Sequence, residues 1–189
     1  MPERSALALP RAAGPARWAG EGLTLEERPG LGAIAVRLKG EPERRLAAAA
    51  LGLEMAGAIG TAAQQGALAA LRLGPDEWLL LCPRAEEPGL AAELRRAFTG
   101  FSGAAAPIGN GTLAIDASGP RVRTFLAKGT GLDLHPRAFA PGRCAVTGFG
   151  KIRVTLWHRD SDRFSIFVGR SFARSFWDWA VDVGREWAR

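Results

Sequence analysis

Cysteine and histidine each occur only twice in the 189 residues, and lysine only at positions 39, 128 and 151. The shortage of cysteine excludes a disulfide framework, since Cys82 and Cys144 stand far apart and no CxxC spacing occurs. Cys82 lies inside the apolar run Trp78–Cys82, which predicts a buried free thiol. Such usage suits a reducing cytoplasm, the expected location. Neither His135 nor His158 has a partner at metal-binding spacing. No apolar run approaches the roughly 18 residues of a membrane span. Residues 1–20 lack the apolar centre of a secretory signal. Gly129-Thr-Gly131 and Gly148-Phe-Gly-Lys151 contain glycines but not the spacing of a phosphate-binding loop, and both read as turns.

Apolar residues make up 47% of the chain and charged residues 23%, as in ordinary globular proteins. The length suffices for a core that needs no disulfide or metal. The net charge of +6 is unevenly placed: residues 120–189 hold 13 Lys+Arg against 6 Asp+Glu, residues 1–119 hold 12 against 13. Nearly all the cations are arginines scattered among acids and aromatics. A nucleic-acid site needs a dense stripe, so the pattern favours carboxylate contacts at a protein interface and no nucleic-acid partner.

Periodicity predicts strands over 33–38, 66–73, 78–82, 111–116, 144–149, 152–158 and 164–168. Helices are predicted over 41–51, 86–98 and 118–129, with a last one from Ser171 to Trp187. Ser118 and Ser171 are expected to cap the helices they open. Phe172, Phe176, Ala180, Val183 and Trp187 form one stripe on the last helix. Without regular βαβα alternation, the expected class is α+β: antiparallel sheets with packed helices, in two ferredoxin-like halves. The expected division is a flexible tail over 1–22, an N-terminal half over 23–105 and a C-terminal half over 106–189.

The connector from Leu126 to Cys144 carries three glycines, two prolines and His135. Connectors of this length are usually functional or disordered. Leu132, Leu134 and Phe139 are spaced for burial, which predicts a stiff loop. His135, extended by Pro136, is expected to bond loop carbonyls or meet a partner, and Arg137 to do the same. His158 is expected to face solvent at a strand end. Asp116, Asp133 and Asp160 fall on strand ends or loops, and no nucleophile has an evident base, so no catalytic set is expected. Trp177 and Trp179, two apart on a helix, point to different sides, and one of them is a candidate interface anchor.

Gly119-Pro-Arg-Val-Arg-Thr-Phe-Leu-Ala-Lys-Gly129, Leu132-Asp-Leu-His-Pro-Arg-Ala-Phe139, Pro141-Gly-Arg-Cys-Ala145, Arg170-Ser-Phe-Ala173 and Trp177-Asp-Trp179 together resemble the gamma subunit of heterotetrameric sarcosine oxidase. The segment Leu73-Gly-Pro-Asp-Glu-Trp-Leu-Leu80 is also similar to aminomethyltransferase-like folate-binding proteins. The resemblance covers residues 66–189 well and 23–65 loosely. It implies a fold related to the aminomethyltransferase folate-binding domain. It also implies a complex of alpha, beta, gamma and delta subunits that demethylates sarcosine to glycine, with tetrahydrofolate as a possible acceptor. FAD, FMN, NAD and zinc would belong to the partner subunits, and this chain would bind no cofactor or metal and carry no catalytic residue. Candidate interface or loop-fixing residues are then His135, Arg137, Arg143, Arg170, Trp177 and Trp179. The alternative is a stand-alone folate or small-molecule binding protein, with Asp116 or Asp133 facing the pterin.

Overall fold

Two sets of alternating apolar strands generate two sheets. The computed structural model describes Leu7 and residues 15–188, so most of the tail expected over 1–22 lies outside the described residues. The described chain forms two compact units. One spans Gly30–Asn110; the other combines the chain up to Pro29 with the chain from Gly111 onward.

The continuous unit runs β3 (Leu31–Arg37), α1 (Glu41–Leu51), β4 (Ala62–Gln65), β5 (Leu68–Arg72), β6 (Glu77–Pro83), α2 (Glu87–Ala97) and β7 (Ala104–Pro107), after β1 and β2 have left for the other unit. Its sheet has the order β4-β5-β6-β3-β7, antiparallel throughout. Without β4 this is the split βαββαβ, ferredoxin-like arrangement. Ile34, Val36, Trp78 and Leu80 on the strands meet Ala47, Ala91, Leu94 and Phe98 of the helical segments in one core. Gly52 ends α1 at φ 59°, a left-handed turn that glycine adopts at no steric cost.

The discontinuous unit contains β1 (Arg17–Gly20), β2 (Leu23–Glu27), β8 (Thr112–Ser118), α3 (Val122–Ala127), β9 (Cys144–Phe149), β10 (Ile152–Asp160), β11 (Arg163–Gly169) and α4 (Ala173–Gly184). The sheet order is β1-β2-β8-β11-β10-β9. Leu23, Leu25, Ile115, Leu156, Phe164 and Ile166 pack with Phe125, Leu126, Phe176 and Ala180. The expected halves assigned β2 to the N-terminal one. Here Thr24–Glu27 pair with Ile115–Ser118 of β8, and Leu23 and Leu25 enter that unit's core. A pairing across some 90 residues leaves no local trace in the sequence.

Several local expectations are corrected. Ser118 caps no helix: it closes β8 opposite Thr24 and Arg163, and Gly119 at φ 110° then turns the chain, so α3 is shorter than predicted. Ser171 caps none either, because it sits in a 3-10 turn, Arg170–Phe172, ahead of α4. That turn rotates Phe172 out of the predicted stripe and leaves it 52% exposed. At the other end α4 stops at Gly184, and Trp187 is buried from a second 3-10 turn. The strands β1, β4 and β7 escape prediction because Arg17-Trp-Ala-Gly20, Ala62-Ala-Gln-Gln65 and Ala104-Ala-Ala-Pro107 hold few of the β-branched and aromatic residues that mark strands.

Candidate functional site

The connector from Leu126 to Cys144 is ordered from within. After α3 the chain turns at Gly129, where an added Cβ would lie 2.2 Å from the Phe149 ring. Thr130 Oγ1 meets Thr147 Oγ1 at 2.7 Å and accepts the Leu132 N–H at 3.2 Å. Asp133 accepts the His135 N–H at 2.9 Å, and the His135 carbonyl accepts from Ala138 and Phe139, each at 2.9 Å. The His135 Nδ1 accepts the Arg137 N–H at 3.2 Å and bonds no loop carbonyl among the described residues. Leu134 and Phe139 are buried and Leu132 is half-buried, while His135, Pro136 and Arg137 form an exposed tip.

Beneath the loop lies a residue pair that the sequence reading missed. His158, expected at the surface, has no exposed area. Because β10 continues to Asp160, His158 lies inside the strand, on the same face as Val154 and Leu156. Its ring stacks on Phe164 at 4.3 Å and on Phe139 at 6.3 Å. A carbonyl can only accept, so Nδ1 donates to the Phe139 carbonyl at 2.9 Å, and Nε2 accepts from Arg123 Nη2 at 3.3 Å. Arg123, from α3, also donates to the Leu134 carbonyl and rests over the Phe164 ring at 5.1 Å. Extending the two-residue alternation of Val154 and Leu156 by one step would have flagged His158 as inward-facing.

The six residues singled out earlier fall in two places. His135, Arg137 and Arg143 belong to the loop. Arg143 donates its N–H to the Ala140 carbonyl and accepts the His158 N–H at 2.9 Å, and its Nε is buried. Arg170, Trp177 and Trp179 belong to the start and body of α4. The tryptophans diverge as their spacing predicts. Trp179 packs edge-on against Phe149 at 4.8 Å and near Phe125. Trp177 lines a surface hollow of about 490 Å³ with Leu7, Ala16 and Val181, rimmed by Arg174, Asp178, Asp182 and Arg185.

Other ionisable groups are committed to internal bonds. Asp116 accepts from Ser165 Oγ at 2.6 Å and lies 3.5 Å from Arg28. In the continuous unit the buried Glu87 accepts the Gly109 N–H at 2.7 Å and pairs with Arg84, which also reaches Asn110. Neither Cys82 nor Cys144 is in a disulfide and both are buried, as expected for Cys82. Burial, reinforced by the nearby Glu87 and Glu86 carboxylates, pushes the Cys82 thiol up to about 11, so it stays a thiol at neutral pH. Burial and the neighbouring Arg28 lower Arg159, which lies 4.7 Å over the Trp157 ring. Among the described residues no group of three His, Cys, Asp or Glu side chains is placed to hold a metal, and no helix is long and apolar enough to cross a membrane.

Comparison with known proteins places the chain in a family. Residues 43–186 match the model of the sarcosine oxidase, gamma subunit family. The chain is 34% identical over 142 residues to the sarcosine oxidase subunit gamma of an Arthrobacter species, covering 75% of this chain and 69% of that one. It is 34% identical over 120 residues to the subunit gamma of Corynebacterium sp. strain P-1, covering 64% and 58%. Among solved structures, a chain of the heterotetrameric sarcosine oxidase from Corynebacterium sp. U-96, in complex with pyrrole 2-carboxylate, superposes with a TM-score of 0.83. It is 29% identical and covers 92% of this chain and 89% of that one. Aminomethyltransferase T of the glycine cleavage system from Bartonella henselae superposes with a TM-score of 0.63 at 16% identity, over 85% of this chain and 45% of that one, and so shares the fold. The chain belongs to the sarcosine oxidase gamma subunit family.

Proposed function

We propose that this chain is a non-catalytic, structural subunit of a cytoplasmic heterotetrameric sarcosine oxidase, docking on alpha, beta and delta partners. In this reading FAD, FMN, NAD and zinc reside on the partners. The complex demethylates sarcosine oxidatively to glycine, and tetrahydrofolate can serve it as acceptor. One observation carries the reading: the superposition covers 92% of this chain and 89% of a chain of the Corynebacterium complex. The shared length is nearly that of the whole Corynebacterium chain.

The internal use of chemically capable groups supports it. His158 is engaged at both nitrogens, Asp116 by Ser165, Asp133 by the His135 amide, and Cys82 is a buried thiol. The test is co-expression with the partner subunits. The chain is expected to co-purify with them in equal ratio, and His158→Gln is expected to leave the turnover of the assembled complex unchanged. A chain that stays monomeric beside its partners would refute the reading.

The shared aminomethyltransferase fold keeps a second reading in play, a protein that binds folate on its own. Saturable micromolar binding of tetrahydrofolate by the isolated chain, lost in Asp116→Asn or Asp133→Asn, would favour it.

A further inference from the structure

Some cations of the discontinuous unit are paired with carboxylates, and others, among them Arg17, Arg121, Lys151 and Arg153, form no ion pair among the described residues. Arg28, Arg163, Arg174, Arg185 and Lys128 each sit against a carboxylate: Asp116, Asp160, Asp178, Asp182 and Glu186. The three arginines around the long connector do not. Arg123 is held by the carbonyls of Leu134 and Phe139, by His158 and by the Phe164 ring, all of them neutral acceptors. Arg143 has its Nε buried without a hydrogen-bond partner among the described residues. Arg137 is exposed at the loop tip and makes no ion pair among the described residues. The loop's own carboxylate, Asp133, is turned onto the His135 amide.

The consequence is a preorganised loop with net positive charge. Arg123 and His158 fix the loop from below, so little conformational freedom remains to be lost when the tip meets a ligand. A guanidinium offers several donors in a rigid fork matched to carboxylates. From this we infer that the tip and shoulder of the connector, Arg137 and Arg143, form the docking site for an acidic segment of a partner subunit, with Arg123 and His158 as positioning residues. Carboxylates at that place balance the charge that the loop carries unpaired. The alternative occupant, a small free anion, lacks the reach to engage both the exposed tip and the half-buried shoulder at once.

This inference rests on the subunit reading above, and its test separates the two. The unaltered chain and the variants Arg137→Glu, Arg143→Gln and the double Arg137→Glu/Arg143→Glu are co-expressed with the partner subunits. Apparent affinity is then measured over a range of sodium chloride concentrations. The expected result is assembly of the unaltered chain that weakens with salt, about tenfold weaker assembly for Arg137→Glu, and a flatter salt dependence in every variant. The side chain of Arg137 is exposed, so its variant keeps the fold, and circular dichroism checks that for Arg143. Assembly of all variants with unchanged affinity and salt dependence overturns the docking site while leaving the subunit reading intact. Failure of the unaltered chain to assemble overturns both. Saturable binding of phosphate or acetate by the isolated unaltered chain, lost in Arg137→Glu, assigns the site to a small anion and also overturns it.

Discussion

The two units repeat one design by different chain paths. In the continuous unit the strands β3, β5, β6 and β7 build the sheet in the order β5-β6-β3-β7. In the other, β8, β10 and β11 take the corresponding places, and the closing place beside β8 is filled by β2 from far upstream. Each has an added edge strand reached by a long connector from the preceding helix, β4 in one and β9 in the other, and the discontinuous unit adds β1 at its opposite edge. Each connector is pinned by an arginine lying over a ring on the equivalent strand. Arg72 lies over Trp78 at 5.3 Å and bonds the Gly57 and Pro75 carbonyls, whereas Arg123 lies over Phe164 and bonds the Leu134 carbonyl. The difference is depth. The bonds of Arg72 are exposed, while those of Arg123 run beneath the loop and recruit a fully buried histidine. The shared architecture explains how each connector is ordered; the buried pin explains why only one of them presents a stiff charged tip.

The largest expected effect tests the chain-path difference. Removing the chain through Glu27 deletes β1 and β2, strips Leu23 and Leu25 from the core and bares the edge of β8. Loss of two buried leucines alone costs about 4–10 kcal/mol, comparable with a whole domain's stability. Hydrogen exchange is expected to show β8, β10 and β11 losing protection while β3, β5 and β6 keep theirs. Persistent protection of Thr112–Ser118 would break the comparison. Next come the rings beneath the pins. Phe164→Ala and Trp78→Ala should each cost about 3–5 kcal/mol in urea unfolding. Each should loosen its own connector, 128–143 in the first case and 52–61 in the second. Loosening of the opposite connector would show that the rings do not act through their arginines.

The sequence made most of this visible, but unevenly. The helix over 41–51, the hairpin around Gly74-Pro75-Asp76 and the last three strands were legible because apolar period and turn residues coincide there. The loop was legible as a stiff connector from Leu134 and Phe139. The non-local facts were not: β2 closing a sheet begun 85 residues later, and Arg123 and His158 meeting across 35 residues. Rotation of Phe172 out of its stripe was hidden for another reason: a 3-10 turn and the start of an α-helix share the same local residues.

The third prediction turns on depth. His158→Leu removes the short donor to the buried Phe139 carbonyl, leaving only Arg123 at 3.5 Å, and takes one acceptor from the Arg123 guanidinium. Unsatisfied buried groups cost about 1–3 kcal/mol each, so a loss of about 2–3 kcal/mol is expected. Arg72→Leu frees carbonyls that water can reach, and about 1 kcal/mol or less is expected. Nitrogen chemical shifts of the unaltered protein provide a second readout, since hydrogen on Nδ1 of His158 is a distinct tautomer. Equal costs for the two variants would erase the distinction between a buried pin and an exposed one.

The effect that vanishes at neutral pH belongs to the continuous unit and appears only in alkali. Cys82 lies on β6 with no exposed area, and its thiol is raised from 9.0 to about 11. Below pH 9 both the folded and unfolded chains keep the proton, and the contribution to stability is fully present. Between pH 9 and about 11 the unfolded chain loses the proton first, so stability falls as pH rises, by at most about 2–3 kcal/mol across the window. Cys82→Ala removes the thiol and with it this part of the alkaline slope, at a small and pH-independent packing cost. A variant whose stability falls as steeply as the unaltered chain's between pH 9 and 11 would place the alkaline sensitivity elsewhere. In that event burial would not be what keeps this strand's only ionisable core group inert.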